Sequence, residues 1–484
     1  MINHYSKQYI NGVWREGKSE TVYNDTNPFN DEVLTSFKLS TKTDVDEAYE
    51  SALKAQKDWA KTSAETKKAI FYRAAEIFEE KKNEFVQVIV QETGSSVLKA
   101  TGEVISIIDM IRHAASYSDR MEAPDVLLSS MPGKESLVYH KPAGVVGIIS
   151  PFNYPLFLSM RAVAPALAVG DAVVLKPDLQ TQISGGFIIA EVFEQAGLPK
   201  GVLNVISFTI EEVGDYFVEH PTPQIISFTG STAVGRHIGA LCGKHLKKVA
   251  LELGGNSPFI VLEDADIDQA IDAAIFGKFI HQGQICMITN RILVQRSLYD
   301  EFVNRYVQRA SELPYGNPID QKVVIGPIIN NNQINKILKI VEEGKKEGNR
   351  LVLEGKRAGN VLTPFVFTDV NNDSKLAQTE IFGPVAIIIP FDTEAEALQM
   401  ANKTEYGLSG AVFTQDIERG IEFARQLESG MAHVNDQTVN SSPNAPFGGE
   451  KASGLGRYGG EWGFEEFTSV KWVTVQRTPR KYPF

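Results

Sequence analysis

The sequence predicts an α/β fold with two parallel sheets, and three observations carry the prediction. From Ala143, apolar strands alternate with helical stretches, and a second alternation of the same kind begins near Gly254. Alternation of this type builds right-handed βαβ units and therefore parallel sheets. Polar motifs stand where the strands of the first unit end: Ser150-Pro151-Phe152-Asn153, Lys176-Pro177 and Thr229-Gly230-Ser231-Thr232. Ligands of open parallel sheets bind at those carboxyl ends.

At 484 residues the chain exceeds what one core supports, so roughly two or three domains are expected. A net charge of −12 argues against a nucleic-acid or anionic-membrane surface. The two cysteines, Cys242 and Cys286, form no disulfide framework, which makes a reducing cytoplasm the default. The N-terminal stretch lacks the apolar run of a signal peptide, and no stretch approaches the length of a membrane span. The eight histidines show no metal-ligand spacing with Cys or acids, so no metal is expected.

Residues 1–40 read as short strands and turns. A helix follows, with Thr43 and Asp46 as a capping-box-like start and Val45, Ala48, Tyr49, Ala52, Leu53 and Trp59 on its apolar face. Helical spacing then continues over 64–93, with Gly94 as the stop, and over 100–117. Residues 121–141 form two extended segments split by Pro132-Gly133, compatible with a surface excursion or an oligomer contact. The first unit has strands at 145–149, 172–175, 202–206, 224–228 and 249–253, with helices at 156–169, 183–195, 211–219 and 233–243. The second has strands at 259–262, 292–295, 351–353, 385–389, 410–413 and 433–435, with helices at 267–279, 298–313, 333–347 and 394–402. The glycine-rich stretch 447–460 reads as loop, and 470–475 as a final extended run.

The G-x-G-x-x-G at 454–459 does not follow a strand and is discounted as a dinucleotide fingerprint. The turn after 224–228 is better placed. A buried strand enters Gly230, a helix opens near Ala233, and a helix N-terminus suits a pyrophosphate. An ordinary capped βα turn has the same appearance.

Three residues could carry chemistry. Cys286 is either an inert buried thiol or a nucleophile. Glu252 is a carboxylate in an apolar strand end, where desolvation would raise its pKa toward that of a general base, unless a Lys or Arg pairs with it. Asn153, between Pro151 and Pro155, is either a turn former or a rigid donor to an oxyanion.

Seven motifs in order resolve these alternatives: PFNYP (151–155), LKP (175–177), FTGSTAVG (228–235), LELGG (251–255), QGQIC (282–286), EIFGPV (380–385) and PFGGEKASGLGR (446–457). Over almost its whole length the chain resembles the aldehyde dehydrogenase superfamily. The resemblance implies two Rossmann-like parallel-sheet domains plus a small β oligomerisation element. Residues 1–120 and 142–253 would bind the dinucleotide, 254–463 would be catalytic, and 121–141 with 464–484 would join subunits of a homodimer or homotetramer. It also implies the chemistry. Cys286 attacks the aldehyde carbonyl, Asn153 and the Cys286 N–H hold the oxyanion, hydride passes to the nicotinamide, and Glu252 activates the water that hydrolyses the thioester. Lys176 would contact the adenosine ribose, Gly230 and Ser231 the pyrophosphate, and Glu380 the nicotinamide ribose. Phe382 would flank the nicotinamide, and Ile149, Ser150, Gly235 and Leu253 complete the expected cofactor site.

Two departures bear on specificity. Where NAD-preferring members often carry a Glu facing the ribose 2′-hydroxyl, this chain has Leu179, so use of NADP alongside NAD is expected. Residues 176–186 and 453–460 resemble the benzaldehyde and vanillin dehydrogenase branch. Tyr154, Phe157, Met160, Ile285, Met287, Ile288 and Phe447 offer an apolar surface near the thiol for an aromatic ring. The nearest alternative is an aliphatic or semialdehyde dehydrogenase, for which Arg161 would pair a substrate carboxylate. A CoA-acylating enzyme fits less well, because Glu252 supports hydrolysis. A non-catalytic protein on the same fold would be marked by loss of Cys286 or Glu252. A cofactor-free cysteine hydrolase would need His281 oriented at the thiol.

Overall fold

In a computed structural model the chain is described over residues 5–484. The expected short strands of 1–40 are present from residue 5 onward, and residues 1–4 lie outside the described part. The first sheet has eight strands in the spatial order Val13–Arg15, Gln8–Ile10, Leu203–Val205, Ala172–Lys176, Val145–Ile149, Ile225–Thr229, Lys248–Glu252 and Gly454–Leu455. The five strands expected of the first unit are all here, pair in parallel, and match within one residue at each end. The chain leaves Val145–Ile149 toward one side and returns to its other side with Ile225–Thr229. That reversal opens a crevice at the carboxyl ends of those two strands.

The second sheet runs Arg350–Leu353, Phe365–Thr368, Val385–Phe391, Thr289–Gln295, Ser257–Val261, Ser409–Phe413 and Met431–Val434. It is parallel except for its first, antiparallel pair. The third sheet joins Asp125–Leu127 and Lys134–Pro142 to the final strand Thr468–Gln476, which pairs with Lys134–Pro142 along its whole length.

Several local expectations are corrected. The capping box of the first helix, Lys42–Trp59, is made by Thr41 and Asp44, not by Thr43 and Asp46. Asp44 is pinned there because Gln8, Arg15 and the Lys18 N–H also donate to it. The helix expected over 64–93 is two, Ala64–Glu80 and Lys82–Thr93, broken at Lys81. No Gly or Pro marks the break; Phe78 and Phe85 pack edge to face across it with centroids 5.3 Å apart. Gly94 does end the second helix, with φ 68°. The helix expected over 183–195 opens with a wide turn at Ile183–Phe187. There Glu92 accepts from the N–H groups of Ile183 and Ser184, and Gly186 lets the turn press on Pro177. The stretch 211–219 is two short helices separated by Gly214 at φ 62°.

The strand Phe365–Thr368 and the helix Ile417–Arg425 were not expected. The glycine-rich stretch 447–460 is more than loop. Gly454–Leu455 pairs antiparallel with Leu251 and Glu252, so a segment from the expected catalytic part closes the edge of the first sheet. A β-carbon on Gly454 would lie 2.3 Å from the Leu251 carbonyl oxygen, so only glycine fits that approach. Among the described residues no helix is long and apolar enough to cross a membrane.

Candidate active site

Two cavities meet the strand ends. The first, of about 600 Å³, occupies the crevice of the first sheet. Ile149, Ser150, Phe152, Lys176, Gly230 and Ser231 line it. The helix Thr232–Lys244 starts at its wall, and the N-cap residue Ser231 makes no capping bond of its own. The hydroxyl and the free N–H groups of the first turn can therefore serve an anion. Lys176 is desolvated there, which lowers its pKa, while Asp178 beside it acts in the opposite sense. These features fit the diphosphate and ribose of a dinucleotide.

Four other expected cofactor residues do not line this cavity. Gly235 and Leu253 stack on one another behind the wall; a β-carbon on Gly235 would lie 2.2 Å from a Leu253 methyl. They let the helix N-terminus sit close to the sheet. Glu380 and Phe382 lie toward the thiol instead. Glu380 accepts from the Gly255 N–H at 3.0 Å, and its charge raises the pKa of Cys286. The Phe382 ring packs edge-on against Phe152, 6.1 Å between centroids.

The second cavity, about 350 Å³, contains Cys286 and Asn153. Its walls include Tyr154, Phe157, Leu158, Ile285, Met287 and Phe447, with Lys99, Glu103 and Arg161 as its charged members. Met160 and Ile288, expected near the thiol, are buried in the core and line neither cavity.

The backbone before the thiol is bent and clamped. His281, Gln282 and Gly283 carry φ of 50°, 55° and 79°, a left-handed run that non-glycine residues adopt only where the surroundings hold them. Gln282 donates to the carbonyls of Gly94 and Pro327 at 3.0 and 2.8 Å. Gln284 accepts from the Ile329 N–H at 3.1 Å. A β-carbon on Gly283 would strike the Gly383 carbonyl oxygen at 2.3 Å. Cys286 is thus delivered by a loop fixed from three segments.

The Asn153 amide donates to the Gln284 carbonyl at 2.9 Å, which places it beside the thiol's own backbone. Its main chain is fixed in turn. Lys99 donates to the Asn153 carbonyl at 2.8 Å and pairs with Glu103 at 2.5 Å, and Glu103 accepts from the Phe157 N–H. Both Lys99 and Glu103 are fully buried. Neither residue stands out in the sequence; the one local signal is Lys–Glu at i,i+4 spacing ahead of the Asn153 turn.

Glu252 ends the strand Lys248–Glu252, 2% exposed, and neither carboxyl oxygen has a hydrogen-bond partner. Burial pushes its pKa up to about 8, opposed by the charges of Arg161 and Arg457. The Lys or Arg partner that would have made it structural is absent among the described residues. It lines neither cavity, but it lies against Gly448, and its charge is felt at Cys286. Burial drives the Cys286 thiol up to about 12, Arg161 draws it down, and Glu252 and Glu380 push it further up. The thiol is thus protonated at neutral pH and needs a base to react. Glu252 can take that proton in its ionised form, a minor fraction at neutral pH that grows as pH rises toward about 8. His281 is a weak base, since burial and then the Lys99 charge disfavour its protonated form, and it faces Tyr154 edge-on with no hydrogen-bond partner. Among the described residues no cluster of three or more His, Cys, Asp or Glu could hold a metal.

Comparison with known proteins adds the context. The model of the aldehyde dehydrogenase family matches residues 14–473. The chain is 49% identical to a benzaldehyde dehydrogenase of Bacillus subtilis strain 168, covering 99% of each. It is 46% identical to a vanillin dehydrogenase of Corynebacterium glutamicum, covering 98% of each. The crystal structure of an NAD-dependent benzaldehyde dehydrogenase from Corynebacterium glutamicum superposes with a TM-score of 0.89 at 43% identity, over 98% of both chains.

Proposed function

The chain belongs to the aldehyde dehydrogenase family, and on that premise we propose that it oxidises aromatic aldehydes to carboxylic acids with NAD. One observation carries the reading: the Cys286 thiol shares an aromatic-walled cavity with the Asn153 amide, next to a cleft shaped for a dinucleotide. Lys176, the Gly230-Ser231 turn and Ile149-Ser150 would hold the cofactor, with Glu380 and Phe382 toward its nicotinamide end. When bound, the nicotinamide supplies the hydride acceptor.

The chain's own residues do the rest. Cys286 adds to the aldehyde carbonyl, giving up its proton to the ionised form of Glu252, which passes it on to solvent before the thioester is hydrolysed. The Asn153 amide and the Cys286 N–H then donate to the oxyanion. The product of oxidation is a thioester on Cys286. Glu252 removes a proton from the water that hydrolyses it and returns the thiol.

NAD is preferred over NADP in this reading. Leu179 leaves no carboxylate at its own position, but Asp178 lines the same cavity beside Lys176 and repels a 2′-phosphate. Initial-rate formation of NADH and NADPH with benzaldehyde, vanillin, propanal and succinic semialdehyde tests the reading, with Cys286→Ala as control. A clear preference for propanal or succinic semialdehyde overturns the aromatic assignment, and absence of turnover with every aldehyde overturns the oxidation itself.

The third sheet supports self-association as a homodimer or homotetramer. Val126, Leu127, Leu128, Val470 and Trp472 are exposed on it or at its edge, an apolar surface suited to a second copy. Light scattering after gel filtration checks this; a monomer sinks it. A cytoplasmic location is proposed from the two unpaired thiols.

A further inference from the structure

The helix Pro155–Val169 carries Arg161 into the wall of the aldehyde cavity. The residue is 6% exposed, and its Nη1 and Nη2 have no hydrogen-bond partner. The guanidinium stacks between two rings of that wall, 3.5 Å from the Phe447 centroid and 4.6 Å from that of Phe157. Stacking on ring faces satisfies the plane of a guanidinium but none of its in-plane N–H groups. Those groups still need acceptors, because a buried donor without one is costly.

No neighbouring carboxylate supplies them. Lys99, the other cation of the cavity, is already engaged by Glu103 and the Asn153 carbonyl. Glu252 is near enough to feel the Arg161 charge, yet it makes no hydrogen bond and is protonated at neutral pH. Arg161 is therefore poised to donate to an acceptor that enters with the ligand. The walls decide what kind. Tyr154, Phe157, Phe447, Ile285 and Met287 favour an aromatic ring over a short aliphatic chain.

Resting on the aromatic-aldehyde reading above, we infer that Arg161 is a specificity residue. Its guanidinium donates to a phenolic oxygen on the ring, so that the enzyme favours hydroxylated benzaldehydes over benzaldehyde itself. A charge-assisted bond to a ligand oxygen inside a desolvated cavity corresponds to a preference of about 10- to 100-fold.

The test compares kcat/KM for 4-hydroxybenzaldehyde and benzaldehyde, with saturating NAD, in the wild type, Arg161→Gln and Arg161→Lys. Because the intrinsic reactivity of each aldehyde cancels between variants, the informative quantity is the change in the ratio. The expected result is a fall of about tenfold or more in Arg161→Gln, with Arg161→Lys between. An unchanged ratio, with both substrates slowed alike, overturns the proposal and assigns Arg161 to the fold or to the thiol. Should Arg161→Gln not fold, inhibition of the wild type by 4-hydroxyacetophenone and acetophenone decides the matter. These ketones keep the ring shapes and lack the oxidisable hydrogen. Inhibition about tenfold tighter by the hydroxylated ketone supports the role, and equal inhibition removes it. A wild type that turns over succinic semialdehyde but neither aromatic aldehyde breaks the aromatic reading itself, which is a different result.

Discussion

Two buried arginines show how differently this chain treats its interior and its cavity. Arg291, in the middle sheet strand Thr289–Gln295, is fully buried, and every nitrogen of its guanidinium is used. It donates to Asn256, Asn372 and the carbonyls of Asn256, Met400 and Ala401, at 2.7 to 3.2 Å. Arg161 is almost as buried and has neither terminal nitrogen paired. The carboxylates repeat the contrast. Glu103, although it lines the aldehyde cavity, is bonded to Lys99 and to the Phe157 N–H and so fixes the Asn153 turn, whereas Glu252, the proposed base, has no partner at either oxygen. Where a polar group serves the fold, the chain surrounds it with partners. Where one faces the reaction, the chain leaves it open at a cost in stability.

The largest effect expected on the open side comes from the thiol. Cys286→Ala should lower NADH formation by at least about 10³-fold while leaving the melting temperature near that of the wild type. A residual rate within tenfold of wild type would remove Cys286 from the chemistry. On the closed side, Arg291→Met should cost about 3–5 kcal/mol in chemical denaturation, because several buried acceptors lose their donor together. Arg161→Met should change stability by less than about 1 kcal/mol, or raise it, since it removes an unpaired buried charge. Equal losses in these two variants would erase the contrast.

Glu252→Gln should slow turnover on the order of 10²-fold. With its pKa near 8, wild-type kcat should climb as pH rises through that value, and the variant should lose the climb. Stability moves the opposite way. The folded state holds the Glu252 proton up to about pH 8 and the unfolded chain only to its ordinary value of 4.5, so wild-type stability falls as pH rises through that window. The variant should therefore melt above the wild type at pH 9, with the gap closing near pH 4.5. A gap that does not depend on pH would mean that the carboxyl is not desolvated. The smallest effect belongs to the cofactor cleft. Asp178→Asn keeps an acceptor for the Gln180 N–H, now 2.9 Å from Asp178, and should raise kcat/KM for NADP a few-fold relative to NAD. No change in that ratio would locate the 2′-position elsewhere.

Much of the fold was legible because its signals are local. Alternating strands and helices, and glycine stops such as Gly94, follow from side-chain periodicity and backbone freedom within one segment. The break at Lys81 was not legible, because no Gly or Pro marks it. Nor was the edge strand Gly454–Leu455, whose pairing partner lies some two hundred residues away in the chain. In the site, residue type and place marked Cys286, Asn153, Lys176 and the Gly230-Ser231 turn as candidates beside ordinary structural readings, and the seven motifs that carry the family resemblance assigned their roles. Gly235, Leu253, Glu380 and Phe382, which the resemblance implied for the cofactor, do not line the crevice itself: the first two pack behind its wall and the other two lie toward the thiol.

The sequence by itself determined which residues carry reactive groups and which segments alternate as strand and helix. Both are properties of neighbours in the chain. Only the tertiary structure decided whether those groups are paired. Arg161 and Arg291 are the same residue type in equally apolar surroundings, and nothing beside them in the chain predicts that one is saturated and the other open. Hydrogen-bond satisfaction depends on what distant segments bring to the same point in space, and that depends on packing rather than on local pattern.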